Sequence, residues 1–338
     1  VEAYYGVSGS GMVMHTCNPR LQPQQLIYII NHAEDAVILF DATFAPLVKG
    51  IAPHCPGIKA WVCLSDEANM PVIEGVENVL CYETLIAPHS EQFDWPEFDE
   101  RTGAALCYTS GTTGNPKGVL YSHRSLVLNA MSGCMPAVLG SSTKDTVLPV
   151  VPMFHINAWC IPYGTPMIGA RLVLPGPRLD GASLYELMES ERVTISAGVP
   201  TIWMSLIQAF EAAQSAQPGR WKMPVGMRSL VGGSAVPEAL IRAFARHGIT
   251  LGQGWGMTET SPLATVSYPR AELRNAGEDE GFRRAAMAGT PVPLVDVRLC
   301  DDEGREVPPG EVGELTCRGP YTLRGYYGVP EYNARQFT

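Results

Sequence analysis

The chain has 338 residues, of which 46% are hydrophobic and 17% charged, so it can bury a sizeable core and is neither disordered nor fibrous. Its formal net charge of -10, without a basic run interleaved with aromatics, excludes nucleic acid as an expected partner. No apolar stretch approaches the roughly 20 residues that cross a bilayer, so we expect no transmembrane segment. Nine scattered cysteines without paired spacing favour a reducing, cytoplasmic setting.

Hydrophobic periodicity predicts strands that alternate with helices along most of the chain. A helix at 23–33 precedes a short apolar strand at 36–40, which we expect to be buried. Further strands are predicted at 59–64, 104–108, 146–151, 171–174, 193–197, 228–231 and 249–252. Helices are predicted between them at 125–137, 182–191, 200–213 and 237–247. This alternation is typical of a layered α/β fold.

The pattern changes near Pro291 to short β-type runs at 295–299 and 313–317, separated by turns, which predict a small antiparallel region. The charged, aperiodic stretch 270–284 is interpreted as an exposed loop. We therefore expect three subdomains, at 1–100, 101–290 and 291–338. Since the chain lacks an initiating Met and stops abruptly at Thr338, we also expect it to be incomplete at both ends.

A loop rich in glycine and hydroxyl groups directly follows the predicted strand at 104–108. It contains the run Thr109, Ser110, Gly111, Thr112, Thr113 and Gly114, and then Lys117. Glycines let backbone N–H groups approach an anion, hydroxyls donate further hydrogen bonds, and the lysine adds a full positive charge. The loop therefore predicts a polyphosphate site. It is not a Walker loop, because Pro116 precedes the lysine and Gly118 follows it.

This loop, with Ser122-His123-Arg124 after it, resembles the signature of the acyl-adenylate-forming superfamily, which includes acyl-CoA synthetases, luciferases and adenylation domains. The resemblance implies the large N-terminal domain of that fold, with layered α/β subdomains, mixed sheets and a small β subdomain. It implies ATP at the loop residues. The C-terminal lid of the family would lie outside this chain.

The segment 252–262 resembles the second signature of the same superfamily. By that resemblance Thr258 binds the α-phosphate, Glu259 binds Mg²⁺ and Trp255 stacks on adenine. Carboxylate oxygen is a ligand that Mg²⁺ prefers. The remaining residues implied at the nucleotide are Gly233, Ser234, Ala235, Gly254, Gly256 and Met257.

The segment Pro152 to Trp159 resembles the part of the family that lines the acyl site. The substrate contacts implied are His155, Trp159, Gly233 and Met257, and His155 is also a catalytic candidate beside Lys117, Thr258 and Glu259. Relatives that activate amino acids place an Asp where this chain has His155. Since a buried ammonium without a partner is costly, an α-amino acid is a poor candidate substrate.

These motifs together predict an AMP-forming ligase that joins a carboxylic acid to coenzyme A, with ATP and Mg²⁺. The runs His15 to Leu21 and Trp255 to Glu259 resemble medium- and long-chain fatty acyl-CoA ligases and ligases for short sulfur-containing acids. Two alternatives stay open: an adenylation domain that passes another acid to a carrier protein, and a catalytically silent nucleotide-binding homologue. A homodimer is open as well.

Overall fold

The computed structural model of the protein describes residues 1–109, 114–268 and 277–337. The backbone divides into two compact units, Val1–Leu120 with Arg324–Thr338, and Tyr121–Leu323. The predicted three-part division at residues 100 and 290 stays a prediction. Both units mix helices with sheets, so the α/β class expected from the sequence is confirmed.

The strands are β1 Met14–His15, β2 Val37–Phe40, β3 Ala60–Cys63, β4 Val79–Cys81, β5 Gly103–Tyr108, β6 Gly118–Ser122, β7 Thr146–Val150, β8 Arg171–Leu172, β9 Ile195–Gly198, β10 Arg228–Val231, β11 Thr250–Gly256, β12 Leu263–Ser267, β13 Thr290–Pro291, β14 Asp296–Cys300 and β15 Glu314–Arg318. The helices are α1 Glu2–Gly9, α2 Pro23–His32, α3 Ala45–Ile51, α4 Tyr82–Ile86, α5 His123–Cys134, α6 Ile156–Trp159, α7 Ile161–Met167, α8 Gly181–Ser190, α9 Pro200–Ala216, α10 Glu238–Ala245, α11 Glu278–Ala285 and α12 Pro330–Gln336.

The first unit contains two small sheets. The parallel strands β2, β3 and β4 form one sheet, in that order. The order of the second is β1-β5-β6, and β1 is parallel to β5. Leu26 and Ile29 of α2 and Trp61 of β3 belong to one hydrophobic cluster that forms the core of this unit. The chain passes into the second unit within β6.

The second unit is built on a seven-stranded sheet of order β13-β12-β11-β10-β9-β7-β8. The five strands β11, β10, β9, β7 and β8 are parallel, and β12 and β13 extend the sheet antiparallel. Leu148 and Val150 of β7 belong to one buried cluster with Leu184 of α8, whereas Val147 belongs to another with Ile161 of α7. Since neighbouring strand residues point to opposite faces, the sheet is covered on both sides.

Most predicted elements are present with boundaries shifted by a few residues, but two expectations were wrong. The strand at 36–40 exists as β2, yet only Phe40 is buried and Val37 is 49% exposed. The predicted loop at 270–284 includes most of the helix α11. Most residues of α11 are charged, and Glu280 pairs with Arg283 and Arg284 at helical spacing. A search for apolar periodicity therefore does not detect this helix. Residues 269–276 lie outside the described part of the chain.

A buried carboxylate ties three strands of the large sheet together at the edge opposite their carboxyl ends. Asp145 accepts hydrogen bonds from Thr194 Oγ1 at 2.7 Å, from Ser142 N at 2.8 Å and from Arg228 Nη2 at 3.0 Å. Burial raises the pKa of Asp145, but these hydrogen bonds and the charge of Arg228 outweigh it and leave the pKa below its ordinary value of 3.8. The ionised carboxylate therefore stabilises the fold.

Asp145→Asn is expected to lower the free energy of unfolding by about 1–3 kcal/mol at neutral pH, because charged acceptors make the stronger hydrogen bonds. A lowered pKa means that the stabilisation is complete above pH 3.8 and is lost as the pH falls through the folded-state value. Urea unfolding of both proteins across the acid range measures this. The exposed Asp302→Asn serves as the control, and a wild-type advantage that persists unchanged in acid would contradict the assignment.

Candidate active site

The predicted phosphate loop connects the neighbouring strands β5 and β6 in the first unit. Thr109 and Lys117 close its base: the N–H of Thr109 donates to the carbonyl of Lys117 at 3.0 Å, and the N–H of Lys117 donates to Thr109 Oγ1 at 3.1 Å. Gly114 has a φ of 101°, which glycine adopts without strain. Ser110, Gly111, Thr112 and Thr113 lie outside the described residues. The described residues thus form a closed loop with paired ends.

Tyr108, the last residue of β5, holds the start of this loop. Its hydroxyl shares a hydrogen bond of 2.7 Å with Nδ1 of His32, and its ring centroid lies 5.0 Å from that of His15. Burial raises the pKa of Tyr108, which keeps the phenol neutral. On the other side of the loop, the N–H of Tyr327 donates to the carbonyl of Gly118 at 2.8 Å. Both strand ends that carry the loop are therefore fixed by contacts within their own unit.

A buried ion pair lies behind Tyr108. Nδ1 of His15 is 2.8 Å from Oδ2 of Asp35. Burial lowers the pKa of His15, but Cys17 and the Asp35 carboxylate raise it more strongly, to about 10. The sulfur of Cys17 lies 3.8 and 3.7 Å from the two ring nitrogens, so it faces the ring rather than one nitrogen lone pair. His15, Cys17 and Asp35 thus form a compact cluster in which one nitrogen, sulfur or oxygen atom of each residue lies within 4.8 Å of the others.

The ammonium group of Lys117 lies over two tyrosine rings of the same unit. Its Nζ is 4.7 Å from the ring centroid of Tyr332 and 5.6 Å from that of Tyr326. A cation over an aromatic face is stabilised electrostatically at these distances. Sequence reasoning did not find this contact, because nothing in the spacing of residues 326 and 332 relates them to a lysine 209 positions earlier than Tyr326.

In the second unit, the other predicted site segments all follow the carboxyl ends of parallel strands. The segment 152–159 follows β7, residues 232–235 follow β10, and residues 257–259 follow β11. Because β7, β9, β10 and β11 are parallel and in register, their carboxyl ends lie at one edge of the sheet. Ligands of open α/β sheets bind at this edge.

Thr258 and Glu259 lie in a short 3₁₀ helix, Thr258–Thr260, that β11 leads into. Its backbone is fixed by two long-range hydrogen bonds: Tyr121 Oη donates to the carbonyl of Thr258 at 2.7 Å, and the N–H of Leu323 donates to the carbonyl of Glu259 at 2.8 Å. Thr258 is 9% exposed and the Glu259 side chain is half-buried. The segment that carries the predicted phosphate and metal ligands is therefore held by its backbone, independent of those side chains.

A cavity opens at the same edge of the sheet, and all of its lining residues belong to the second unit. Its wall comes from α5, from the turn after β7, and from the ends of β10 and β11. The lining residues are Asn129, Ser132, Gly133, Val138, Leu139, His155, Ile156, Trp159, Ile161, Leu230, Gly232, Gly233, Gly254, Gly256, Pro262 and Leu263. Most are apolar or glycine, and none is acidic or basic apart from His155. Such a lining suits a neutral organic chain.

One wall of the cavity is a strained turn. Residues from Ile156 to Cys160 all have φ between 50° and 57°, so α6 is left-handed. This conformation costs about 1–2 kcal/mol for each residue with a Cβ. Ala158 is fully buried, and the thiol of Cys160 donates to the carbonyl of Ser261 at 3.8 Å. Dense packing over-determines the turn, which is where functional sites store strain.

His155 and Trp159 stand at the two ends of this turn. His155 retains solvent exposure where it lines the cavity, yet desolvation by the surrounding protein lowers its pKa. The imidazole is therefore neutral at pH 7. Trp159 is half-buried and packs against the hydrophobic cluster on that side of the sheet. Both residues line the cavity, and their predicted contact with the substrate stays a prediction.

The structure brings together five of the predicted residues around the cavity: His155, Trp159, Gly233, Gly254 and Gly256. The other predicted residues at this edge do not line the cavity: Ser234, Ala235, Trp255, Met257, Thr258 and Glu259. Ser234, Ala235 and Met257 are exposed, while Trp255 is half-buried and packs against the hydrophobic cluster that contains Val147 and Ile161. Their roles stay predictions.

Sequence reasoning missed the contribution of α5. Asn129, Ser132 and Gly133 stand at i, i+3 and i+4, which places them on one face of the helix, and all three line the cavity. The available signal was the run of small and polar residues inside the predicted helix at 125–137.

With the fold and the site described, the chain can be compared with known proteins. The model of the family described as "AMP-binding enzyme" matches residues 1–327. The chain belongs to this family. All nine of its cysteines are free thiols, and no helix in the described ranges is both long and apolar enough to cross a bilayer.

Three curated relatives align with nearly the whole chain. It is 44% identical over 98% of its length to a long-chain-fatty-acid–CoA ligase of Thermus thermophilus, covering 59% of that protein. It is 45% identical over 98% of its length to a 3-methylmercaptopropionyl-CoA ligase of Ruegeria pomeroyi, covering 61%. It is 45% identical over 97% to a medium-chain-fatty-acid–CoA ligase of Ectopseudomonas oleovorans, covering 59%. The chain thus spans about 60% of the length of these relatives.

Solved structures show the same fold. A long-chain-fatty-acid-CoA ligase from Archaeoglobus fulgidus superposes with a TM-score of 0.82 at 23% identity, covering 98% of this chain and 63% of that one. The N-terminal domain of FACL13 from Mycobacterium tuberculosis superposes with a TM-score of 0.80 at 25% identity, covering 99% and 76%. The expectation of the large N-terminal domain of this fold is confirmed.

Gly256→Ala is expected to destabilise the protein by about 1–3 kcal/mol, because a Cβ there would stand 1.7 Å from the carbonyl oxygen of Pro262 and force the backbone apart. Urea unfolding followed by circular dichroism measures the loss. Gly281→Ala in α11 is the matched control: its Cβ would meet nothing within 4 Å, and alanine favours a helix. Equal stability of Gly256→Ala and wild type would contradict the prediction, because it would show that the backbone at Pro262 can move to accommodate the added Cβ.

Proposed function

We propose that the full-length protein is an AMP-forming carboxylate–CoA ligase that activates a medium- or long-chain fatty acid or a related acid. The observation that carries the proposal is the apolar cavity at the carboxyl edge of the sheet. Gly256 lines this cavity, and Thr258 and Glu259 follow it two and three residues later in the chain. An acid bound in such a cavity has its reacting end beside residues suited to a phosphate. Membership of the AMP-binding family and the names of the relatives support the same activity.

In the first proposed step, a carboxylate oxygen of the acid attacks the α-phosphorus of ATP. A new P–O bond forms, the bond to the β-phosphate breaks and pyrophosphate leaves. Negative charge develops on the phosphate oxygens, so catalysis depends on positioning and electrostatic stabilisation. Lys117 and the N–H and hydroxyl groups of its loop supply donors to the phosphates, and Thr258 donates to the α-phosphate.

The side chain of Glu259 fits a magnesium ion. It offers carboxylate oxygens, which Mg²⁺ prefers, and it is half-buried on a segment whose backbone is anchored by Leu323. When bound there, Mg²⁺ neutralises charge on the phosphates of ATP. The chain's own part is to hold the carboxylate in place.

In the second proposed step, the sulfur of coenzyme A attacks the acyl carbonyl, a C–S bond forms and AMP leaves with the electrons of the mixed anhydride bond. No covalent intermediate with the protein is needed. The neutral imidazole of His155 can donate a hydrogen bond to an oxygen of the acid at the cavity without adding a charge.

The lining of the cavity supports an acid with an uncharged chain. Each methylene group of the acid that is buried in the cavity contributes about 0.8 kcal/mol to binding. Acids with longer alkyl chains are therefore favoured over acids with shorter chains. An α-amino acid would bring an ammonium group into a wall that has no carboxylate, and a buried charge without a partner is costly. This disfavours the amino-acid-activating alternative. A homodimer stays a prediction, which light scattering of the full-length protein tests.

Lys117→Met and Glu259→Gln are each expected to slow pyrophosphate release from ATP and a fatty acid by about 100- to 1,000-fold, because each removes a charge aimed at the phosphates. Glu259→Gln should also raise the Mg²⁺ concentration needed for half-maximal rate. Lys59→Met, at an exposed position of the first unit, is the control. The full-length protein is used throughout.

Other outcomes of this experiment distinguish the alternatives. Exchange of pyrophosphate with amino acids but not with fatty acids would replace the proposed substrate class by that of an amino-acid adenylation domain. ATP binding without pyrophosphate release for any acid tested with Mg²⁺ would identify a silent homologue. Acyl-AMP formation without transfer to coenzyme A would favour transfer to a carrier protein.

A further inference from the structure

Asn129 places an amide in the apolar wall of the cavity. It lies in the middle of α5, on the face shared with Ser132 and Gly133, and all three line the cavity. Apart from Ser132, His155 and glycines, the rest of the wall is hydrophobic and includes Val138, Leu139, Ile161, Leu230 and Leu263. A polar side chain at this depth is unusual, because amides are buried only with partners.

Within residues 1–109, 114–268 and 277–337 the side-chain amide of Asn129 makes no hydrogen bond; the residue is 5% exposed and lines the cavity, to which its amide is open. The nearby Ser132 differs, since its hydroxyl donates to the carbonyl of Pro293 at 3.2 Å and lies 3.3 Å from the hydroxyl of Tyr321. The protein therefore satisfies one polar side chain of this helix face and leaves the other to the contents of the cavity.

We propose that Asn129 is a specificity-determining residue that binds a hydroxyl group on the chain of the acid, so that the protein prefers a hydroxy acid to the unsubstituted fatty acid. This inference rests on the proposed function. An amide has both a donor and an acceptor, and a hydroxyl can satisfy both at once. A plain alkyl chain fills the same space but leaves the amide desolvated and unpaired.

The charge of the lining selects the hydroxyl from other polar groups. A second carboxylate or an amino group on the chain would meet, among the described lining residues, no acidic or basic side chain other than His155, whose lowered pKa keeps its imidazole neutral. Neither charge would be paired. A neutral group with both hydrogen-bonding functions is the complement of this wall.

The test compares octanoate with its monohydroxy isomers, one position at a time, as substrates of the full-length protein. For one isomer, kcat/KM is expected to exceed that of octanoate by about tenfold or more, because sites built to pair a hydroxyl discriminate strongly against its absence. Asn129→Leu, which keeps the branching and the number of side-chain heavy atoms but has no polar atom, should reverse the preference and favour octanoate. The ratio of two substrates on one preparation does not depend on how much of the variant is folded.

Met131→Leu is the matched control, since Met131 lies on the solvent side of the same helix with 52% exposure. It should keep the wild-type ratio. A wild-type protein that turns over octanoate but prefers it to every isomer, with a ratio that Asn129→Leu leaves unchanged, overturns the inference while the proposed ligase function stands. Absence of turnover with all of these acids overturns both.

Discussion

The parallel register of β7, β9, β10 and β11 is the constraint on which the second unit depends. These strands start together, where Asp145 accepts hydrogen bonds from Thr194 and Arg228. β7, β9 and β10 also end level with one another, and β11 continues for three more residues at the same edge. Each strand then releases a segment at the same edge, and the cavity lies among those segments. The positions at which the strands end thus determine which residues reach the site, and the loops need little regular structure of their own.

Close packing gives these segments their shape. Gly256 approaches the carbonyl of Pro262 so closely that only glycine fits, and a Cβ on Gly232 would stand 2.7 Å from the carbonyl of Gly254. The left-handed turn at 156–160 is held by burial rather than by glycine, and it accepts strain that an isolated peptide would release. A cavity walled in this way keeps its outline without a ligand, so binding needs little reorganisation.

Local patterns in the sequence located most of the strands, since a strand pattern depends on neighbouring residues. The sequence predicted β10 to the residue and placed His155 and Trp159 at the cavity. It did not predict the left-handed turn, because Ile156 and Trp159 carry no glycine-like signal for positive φ. It also missed α11, whose residues are mostly charged and pair along the helix, so that few apolar side chains mark it. The left-handed turn depends on tertiary packing, which no local pattern records.

The position of Asn129 follows from how tightly two helices pack. Ser122 caps α5 by accepting a hydrogen bond from the N–H of Ser125 at 3.1 Å, which fixes where the helix begins. Gly164 lets α7 approach, since a Cβ there would stand 3.0 Å from the sulfur of Cys134. These two contacts hold α5 with Asn129 in the wall of the cavity. A chain that fills the cavity takes water away from this amide, and it then either pairs with the amide or leaves it unpaired.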